Sequence, residues 1–195
     1  MTHELRGVYV PVITPFAADG SVALDALHRI CGEYLDAGSA GIVALGTTGE
    51  ASSLTADEKQ SVIATCAAVC AARNAELIVG AGTNSTASTV ANVEALSGTA
   101  ALAGTLIVVP YYVRPSEAGI VAHMRAVANA SPVPVVLYNI PVRTGRNLSA
   151  AGVLELAEHP NIIGIKQAVG AIDSDTLEIL RRAPRSFSVV GGDDP

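Results

Sequence analysis

The stretch Asn161-Ile162-Ile163-Gly164-Ile165-Lys166 is a short apolar run that ends in a charged residue. A run of this length, rich in β-branched side chains, is typical of a buried strand. Six further runs of the same kind occur along the chain, and longer stretches with helical periodicity separate them. This alternation of strand and helix predicts a parallel sheet. The predicted strands lie near residues 8–13, 42–45, 77–79, 105–109, 135–138, 162–165 and 188–190.

Six helices are expected between these strands. The first shows an apolar stripe made of Leu24, Leu27, Cys31, Tyr34 and Leu35. The second opens with Thr55-x-x-Glu58, the pattern of a capping box, which satisfies two backbone N–H groups at a helix start. The spacing of about thirty residues from strand to strand matches one strand-helix unit per period.

Seven strands and six helices in a uniform composition predict one domain over residues 1–195, a (β/α)₈ barrel cut short after strand seven. A complete barrel of this type usually needs about 250 residues, so the last strand-helix unit would be missing. A doubly wound nucleotide-binding sheet is the other architecture with this alternation. It is not favoured, because residues 80–85 lack the third glycine of G-x-G-x-x-G and no phosphate-binding G-K-[ST] loop occurs.

Composition restricts the class of protein further. The chain is 50% hydrophobic and 15% charged with a net charge of −6, which argues against disorder and, without any basic run, against nucleic acid as a partner. Apolar runs are too short to span a membrane, and Pro11 interrupts the first of them too early for a signal peptide, so we expect a cytoplasmic protein. Three unpaired cysteines and four scattered histidines predict neither a disulfide framework nor a metal site.

Lys166 is the most informative candidate for chemistry. A lysine held where water is scarce is neutral more easily, and a neutral amine attacks carbonyl carbon, so Lys166 is a candidate Schiff-base lysine. The alternative is a lysine whose stem lies along the strand end while its ammonium reaches solvent.

Polar residues follow several other predicted strands, at the ends where such barrels carry their active sites. They are Gly46-Thr47-Thr48-Gly49-Glu50, Pro110-Tyr111-Tyr112 and Tyr138-Asn139. Glycines beside two threonines let backbone and hydroxyl donors approach a small carboxylate, although an ordinary tight turn has the same composition. A tyrosine beside a lysine supplies a proton carrier for carbinolamine chemistry, although amphipathic residues are common at strand ends.

Together these motifs resemble the family of dihydrodipicolinate synthase and N-acetylneuraminate lyase. The resemblance extends from Gly7 to Asp194. It is carried by Thr14-Pro15-Phe16, Gly46 to Glu50, Pro110-Tyr111-Tyr112, Tyr138-Asn139-Ile140-Pro141, Arg143-Thr144-Gly145 and Gly164-Ile165-Lys166.

The resemblance implies a role for each candidate residue. Lys166 would form a Schiff base with pyruvate, Tyr138 would shuttle protons, and Thr47 would link Tyr138 to Tyr112. Tyr112 would enter the site of a neighbouring subunit, within a homotetramer built from tight dimers.

The implied substrate contacts are equally specific. Thr48 and the surrounding loop, including Gly46, would hold the carboxylate of pyruvate. Arg143 resembles the arginine that binds the carboxylate of aspartate semialdehyde, a role that suits a guanidinium fork. The implied activity is condensation of pyruvate with aspartate semialdehyde to 4-hydroxy-tetrahydrodipicolinate, in lysine and diaminopimelate biosynthesis. No metal, nucleotide or flavin is needed, because the iminium on Lys166 accepts the electrons.

Three departures from the family pattern qualify this expectation. Val113 stands where the synthases usually have asparagine, and Gln167 where glutamate is usual. Ser88 stands where lysine-inhibited members carry glutamate, so we expect weak or absent feedback inhibition by lysine. Two alternatives stay open: a pyruvate aldolase or dehydratase acting on a sugar acid or another 2-oxo acid, and an inactive shortened barrel that serves only as an interaction subunit.

Overall fold

The computed structural model describes residues 4–192, which form seven strands and seven α-helices. The strands are β1 (Tyr9–Pro11), β2 (Gly41–Ala44), β3 (Glu76–Gly80), β4 (Leu102–Val108), β5 (Val135–Asn139), β6 (Ile162–Gln167) and β7 (Ser188–Gly191). The helices are α1 (Leu24–Asp36), α2 (Ala56–Ala72), α3 (Thr86–Glu94), α4 (Glu117–Ala130), α5 (Pro141–Thr144), α6 (Ala150–Ala157) and α7 (Ser174–Arg182). All seven strands expected from the sequence are present.

These elements belong to two compact units. The β1–β3 unit contains residues 6–80 and 98–105, and the β5–β7 unit contains the described residues 4–5, 81–97 and 106–192. Strand β4 passes from one unit into the other at Thr105. Within the part of the chain that the structure describes, no helix is long and apolar enough to cross a membrane.

In the β1–β3 unit, three parallel strands pair in the order of the sequence. Tyr9 of β1 lies opposite Gly41 of β2, which in turn lies opposite Glu76 of β3. Strand β2 is buried along its whole length, as expected for a parallel strand covered on both faces. Helix α2 begins at the capping box predicted from the sequence: Glu58 N–H donates to Thr55 Oγ1, and the Thr55 N–H donates to Glu58 Oε2.

Helices α1 and α2 pack together through small and apolar side chains. Leu27, Cys31 and Leu35 of the predicted stripe are buried, whereas Tyr34 is 40% exposed, as is common for an amphipathic ring at the border of an apolar face. The three cysteines are fully buried, with Cys31 Sγ 3.8 Å from Cys66 Sγ. Burial raises the pKa of the Cys70 thiol to about 11. The cysteines therefore act as small core residues.

In the β5–β7 unit, β5, β6 and β7 are parallel neighbours. Tyr138 lies opposite Lys166, and Lys166 lies opposite Val190. All five residues of β5 are buried. The N-cap residues of helices α4, α6 and α7 are Ser116, Ser149 and Asp173, and each of these side chains accepts a hydrogen bond from a backbone N–H of the first turn.

The short helix α5 was not predicted from the sequence. Pro141 starts it in the position where a missing N–H costs nothing, and Gly145 ends it in the left-handed conformation, with φ +69°. Four residues are too few to show a helical period, so the sequence pattern alone could not reveal this element.

The N-cap of α4 provides a test of the local structure. Ser116→Ala removes the acceptor of the Gly119 N–H and should lower the free energy of unfolding by about 1 kcal/mol. Urea denaturation followed by circular dichroism measures the change. Ser116→Thr keeps the hydroxyl and is the matched control, so equal losses in the two variants would contradict the capping role.

Candidate active site

Lys166 and Tyr138 form the centre of the candidate site. Their backbones are paired across β5 and β6, so both side chains project to the same face of the sheet. The Lys166 Nζ atom lies 4.7 Å from the centroid of the Tyr138 ring, within the range of a cation–π contact. Tyr138 is 6% exposed and Lys166 is half-buried. The tertiary structure therefore brings together the Lys166 amine and the Tyr138 ring, two candidate residues that the sequence named.

The end of β7 packs against the stem of this lysine. Gly192 follows β7, and its N–H donates to the backbone oxygen of Gln167 at 2.9 Å. A Cβ atom at Gly192 would lie 2.7 Å from Lys166 Cε and 2.8 Å from Ala168 Cβ. Only glycine leaves room for the lysine stem here, a constraint that the sequence pattern did not reveal.

Arg143 lies in α5, immediately after β5, and is exposed. Thr144 stabilises this loop. Its buried hydroxyl donates to the backbone oxygens of Ile140 and Arg146 at 3.1 and 2.8 Å. Arg146 in turn donates from Nε to the backbone oxygen of Arg114 at 3.3 Å. The segments that follow β4 and β5 are thus joined by a hydrogen bond, and of their three arginines sequence reasoning identified only Arg143.

Tyr112 follows β4 in an unusual conformation. Its φ is +71°, and Arg114, two residues on, has φ +45°. Non-glycine residues rarely adopt left-handed backbone conformations, and such outliers concentrate at functional sites. Tyr112 is 88% exposed, so within its own chain the ring is presented outward.

Gly46, Thr47 and Thr48 belong to the β1–β3 unit, where they follow β2. Residues Thr47–Gly49 form one turn of 3₁₀ helix, and both threonines are exposed. Buried Gly49 anchors the turn, because its backbone oxygen accepts from Thr14 Oγ1 at 2.7 Å. The hydroxyls of Thr47 and Thr48 are therefore exposed on a turn whose backbone is fixed by the hydrogen bond from Thr14.

The other predicted features of the site have the following positions. Ser88 lies in the first turn of α3, where its N–H donates to the Ser85 side chain. Among residues 4–192, no group of three histidine, cysteine or acidic side chains has the arrangement of a metal site. The roles of all the site residues named from the sequence remain predictions, namely Lys166, Tyr138, Gly46, Thr47, Thr48, Tyr112 and Arg143.

Parallel strands alternating with helices, with a lysine beside a tyrosine at the strand ends, define an α/β protein of barrel type with an amine at its candidate site. Comparison with known proteins identifies the family: residues 4–195 match the model of the dihydrodipicolinate synthetase family, and the chain belongs to it. The expected family membership is therefore confirmed.

Individual relatives agree with this assignment. The chain is 45% identical over 190 residues to 4-hydroxy-tetrahydrodipicolinate synthase of Moorella thermoacetica, covering 96% of this chain and 63% of that protein. It is similar to the chloride-inhibited dihydrodipicolinate synthase of Acinetobacter baumannii, solved with pyruvate, with TM-score 0.91, 35% identity and coverage of 96% and 63%. It is also similar to the lysine-bound enzyme of Cyanidioschyzon merolae, with TM-score 0.91, 36% identity and coverage of 96% and 63%.

Two conclusions follow from these likenesses. The predicted fold class, α/β of the (β/α)₈ type with seven strands present, is confirmed by the agreement with solved synthase structures. The chain spans slightly less than two thirds of the length of the curated relatives it matches.

The contact between Gly192 and Lys166 leads to a prediction. Gly192→Ala should lower the free energy of unfolding by about 1 to 3 kcal/mol, because the new methyl group overpacks against Lys166 and Ala168. Gly191→Ala is the matched control, since a Cβ there meets nothing within 4 Å. Urea denaturation of both variants measures the difference. A Gly192→Ala protein as stable as Gly191→Ala would show that the lysine stem is not confined.

Proposed function

We propose that this chain carries the active site of a class I lyase that condenses pyruvate with aspartate semialdehyde to 4-hydroxy-tetrahydrodipicolinate. The observation that carries the proposal is the position of Lys166 Nζ, 4.7 Å from the ring centroid of buried Tyr138. Relatives named 4-hydroxy-tetrahydrodipicolinate synthase, 45% and 42% identical to this chain, support it.

The first step forms a covalent bond between enzyme and pyruvate. The neutral amine of Lys166 attacks the C2 carbonyl carbon, and the carbonyl oxygen takes up a proton to give a carbinolamine. Loss of that oxygen as water leaves an iminium. Each stage moves a proton, and we assign this transfer to the Tyr138 hydroxyl, because the Tyr138 ring lies against the lysine amine.

The second step forms the carbon–carbon bond. The positive iminium nitrogen withdraws electrons, so a proton leaves the C3 methyl group of pyruvate and an enamine results. The enamine carbon attacks the aldehyde carbon of the acceptor, the aldehyde oxygen takes up a proton, and an iminium forms again on Lys166. The amino group of the acceptor then attacks C2 of this iminium, which closes the ring and releases the Lys166 amine. The iminium itself accepts the electron pair, so this chemistry requires no cofactor.

Pyruvate and its acceptor each carry a carboxylate that needs donors. Thr48 and Gly46, with Thr47 beside them, offer backbone and hydroxyl donors on the turn after β2, and we assign them to pyruvate. Arg143, on the loop supported by Thr144, is assigned to the acceptor, because a guanidinium binds a carboxylate through two parallel hydrogen bonds.

A role across a subunit boundary follows for Tyr112. A large aromatic side chain that is 88% exposed on a left-handed backbone gains from burial by a second copy of the chain. We propose that it completes the proton path of a neighbouring subunit, with Thr47 as the link, within a homo-oligomer.

Covalent trapping tests the Schiff base directly, because Lys59 and Lys166 are the only lysines in the sequence. Incubation with pyruvate and borohydride should attach a reduced pyruvate residue to the peptide that contains Lys166. Mass spectrometry of the digest gives the site. Lys166→Arg should abolish the adduct, whereas Lys59→Arg should retain it, and an adduct on Lys59 alone would refute the assignment.

Acceptor recognition is tested at Arg143. Arg143→Ala should raise the KM for aspartate semialdehyde roughly 10- to 100-fold, because a charge-assisted hydrogen-bonded pair is lost. Trapping of pyruvate on Lys166 should stay unchanged, which separates this effect from misfolding. Arg143→Lys keeps the charge but loses the planar guanidinium, so its KM should lie between those of the wild type and Arg143→Ala. A parallel assay with sugar-acid aldehydes identifies the preferred acceptor, and an unaltered KM in Arg143→Ala would contradict the role.

A further inference from the structure

A second pair of side chains lies directly behind Lys166 and Tyr138. Asn139 and Gln167 are the next residues of β5 and β6, and they too are register partners. Successive side chains of a strand point to opposite faces, so this pair projects away from the reacting amine. Asn139 is fully buried and Gln167 is 7% exposed. Buried amides are costly unless their hydrogen bonds are satisfied, so their partners matter.

The amides form one continuous chain of hydrogen bonds. Asn139 Nδ2 donates to Gln167 Oε1 at 3.1 Å, and Gln167 Nε2 donates to Thr176 Oγ1 at 3.2 Å. The Thr176 hydroxyl donates to Asp173 Oδ1 at 2.7 Å. This series of hydrogen bonds thus joins β5 and β6 to the first turn of α7.

Asn139, at the other end of this series of hydrogen bonds, has further partners. Asn139 Oδ1 accepts from the Leu148 N–H at 3.2 Å, and Asn139 Nδ2 also donates to Asn147 Oδ1 at 2.9 Å. The Asn139 amide therefore ties the strand pair to the segment that leads into α6.

The direction of the donors is determined by Asp173. Its oxygen accepts from both the hydroxyl and the backbone N–H of Thr176, which lowers the pKa of the carboxyl and keeps it ionised. The single hydroxyl proton of Thr176 is therefore committed to Asp173, and Thr176 can only accept from residue 167. Residue 167 must donate to Thr176 and accept from Asn139 at once. An amide does both, and an ionised carboxylate cannot.

We infer that Gln167 is a positioning residue: its amide locks the β5–β6 strand ends to α7 and so holds Lys166 against Tyr138 for the chemistry. This inference rests on the proposed function of Lys166 and adds a residue to which that proposal assigned no role. The resemblance described above places glutamate at this position in most synthases, whereas here the neighbouring donors and acceptors match a neutral amide.

Charged groups on the surrounding elements do not alter the pattern of donors and acceptors around Gln167. Apart from Tyr138, strands β5 and β7 carry no titratable side chain. Helix α6 contributes Glu155, which pairs with Arg125 at 2.9 Å. Helix α7 contributes Asp175, which accepts from Asn147, Glu178, which pairs with Arg182, and the exposed Arg181. Lys166 is next to Gln167 in sequence and projects to the opposite face. Asp173 is therefore the charge that polarises the chain of hydrogen bonds.

The decisive variant is Gln167→Glu, which is nearly the same size and, when ionised, replaces the amide donor by a negatively charged acceptor. An ionised carboxylate at position 167 would face the Thr176 oxygen without a proton between them, whereas a protonated carboxyl would donate as the amide does. Burial raises the pKa of such a carboxyl. The measured quantity is the ratio of the variant's rate of pyruvate trapping on Lys166 to the wild-type rate at the same pH. This ratio should be roughly 10- to 100-fold below one near pH 9 and should return toward one near pH 5. A ratio that is constant with pH would overturn the inference.

Substitutions of Thr176 provide a second, independent test of the inference. Thr176→Val removes the hydroxyl with little change of shape, and trapping should fall by a similar factor at every pH. Thr176→Ser restores the hydroxyl and should restore the rate. Thermal denaturation identifies any variant that fails to fold. If folded Thr176→Val traps pyruvate as fast as the wild type, the positioning role is wrong.

A failure of the proposed function can be recognised separately. If the wild-type chain does not trap pyruvate, acetylation of Lys166 by acetic anhydride, referred to Lys59 in the same molecule, reports the position of the amine without any substrate. In Gln167→Glu this ratio should rise above the wild-type value at high pH and return to it at low pH. An unchanged ratio across the range would contradict the inference whether or not the protein binds pyruvate.

Discussion

Parallel pairing of β5 with β6 is the constraint on which the candidate site depends. One register sets Tyr138 beside Lys166 on one face and Asn139 beside Gln167 on the other. A shift of one residue would exchange the faces and place amides where the amine is needed. The pairing is held by the hydrogen bonds of its own ladder and by the burial of every residue of β5.

The two faces of this strand pair are stabilised differently. On one face, the ring of Tyr138 lies against the Lys166 amine, and Gly192 leaves room for the lysine stem. On the other, buried amides satisfy one another and end at the ionised Asp173. Buried polar networks of this kind specify one arrangement because every alternative leaves a donor or acceptor unpaired. The inferred role of this network is to position the Lys166 amine.

Much of the architecture was predictable from local pattern. All seven strands were expected, because Val- and Ile-rich runs separated by helical stretches have few other structures, and the capping box of α2 was identified from Thr55 and Glu58. Helix α5 was missed because four residues show no period. Tyr34 was placed on the apolar stripe of α1, yet 40% of its surface is exposed, because the stripe does not show how far the packing of α1 on α2 extends.

The sequence by itself determined the seven strands, six of the seven α-helices, the family and the identity of the candidate residues, since these depend on periodicity and on motifs within short stretches. Only the tertiary structure decided which side chains meet. The contact of Lys166 with Tyr138, the confinement of its stem by Gly192, and the amide chain through Gln167 join residues from about 9 to 28 positions apart. Strand register creates such contacts, and register depends on packing along the whole of β5, β6 and β7.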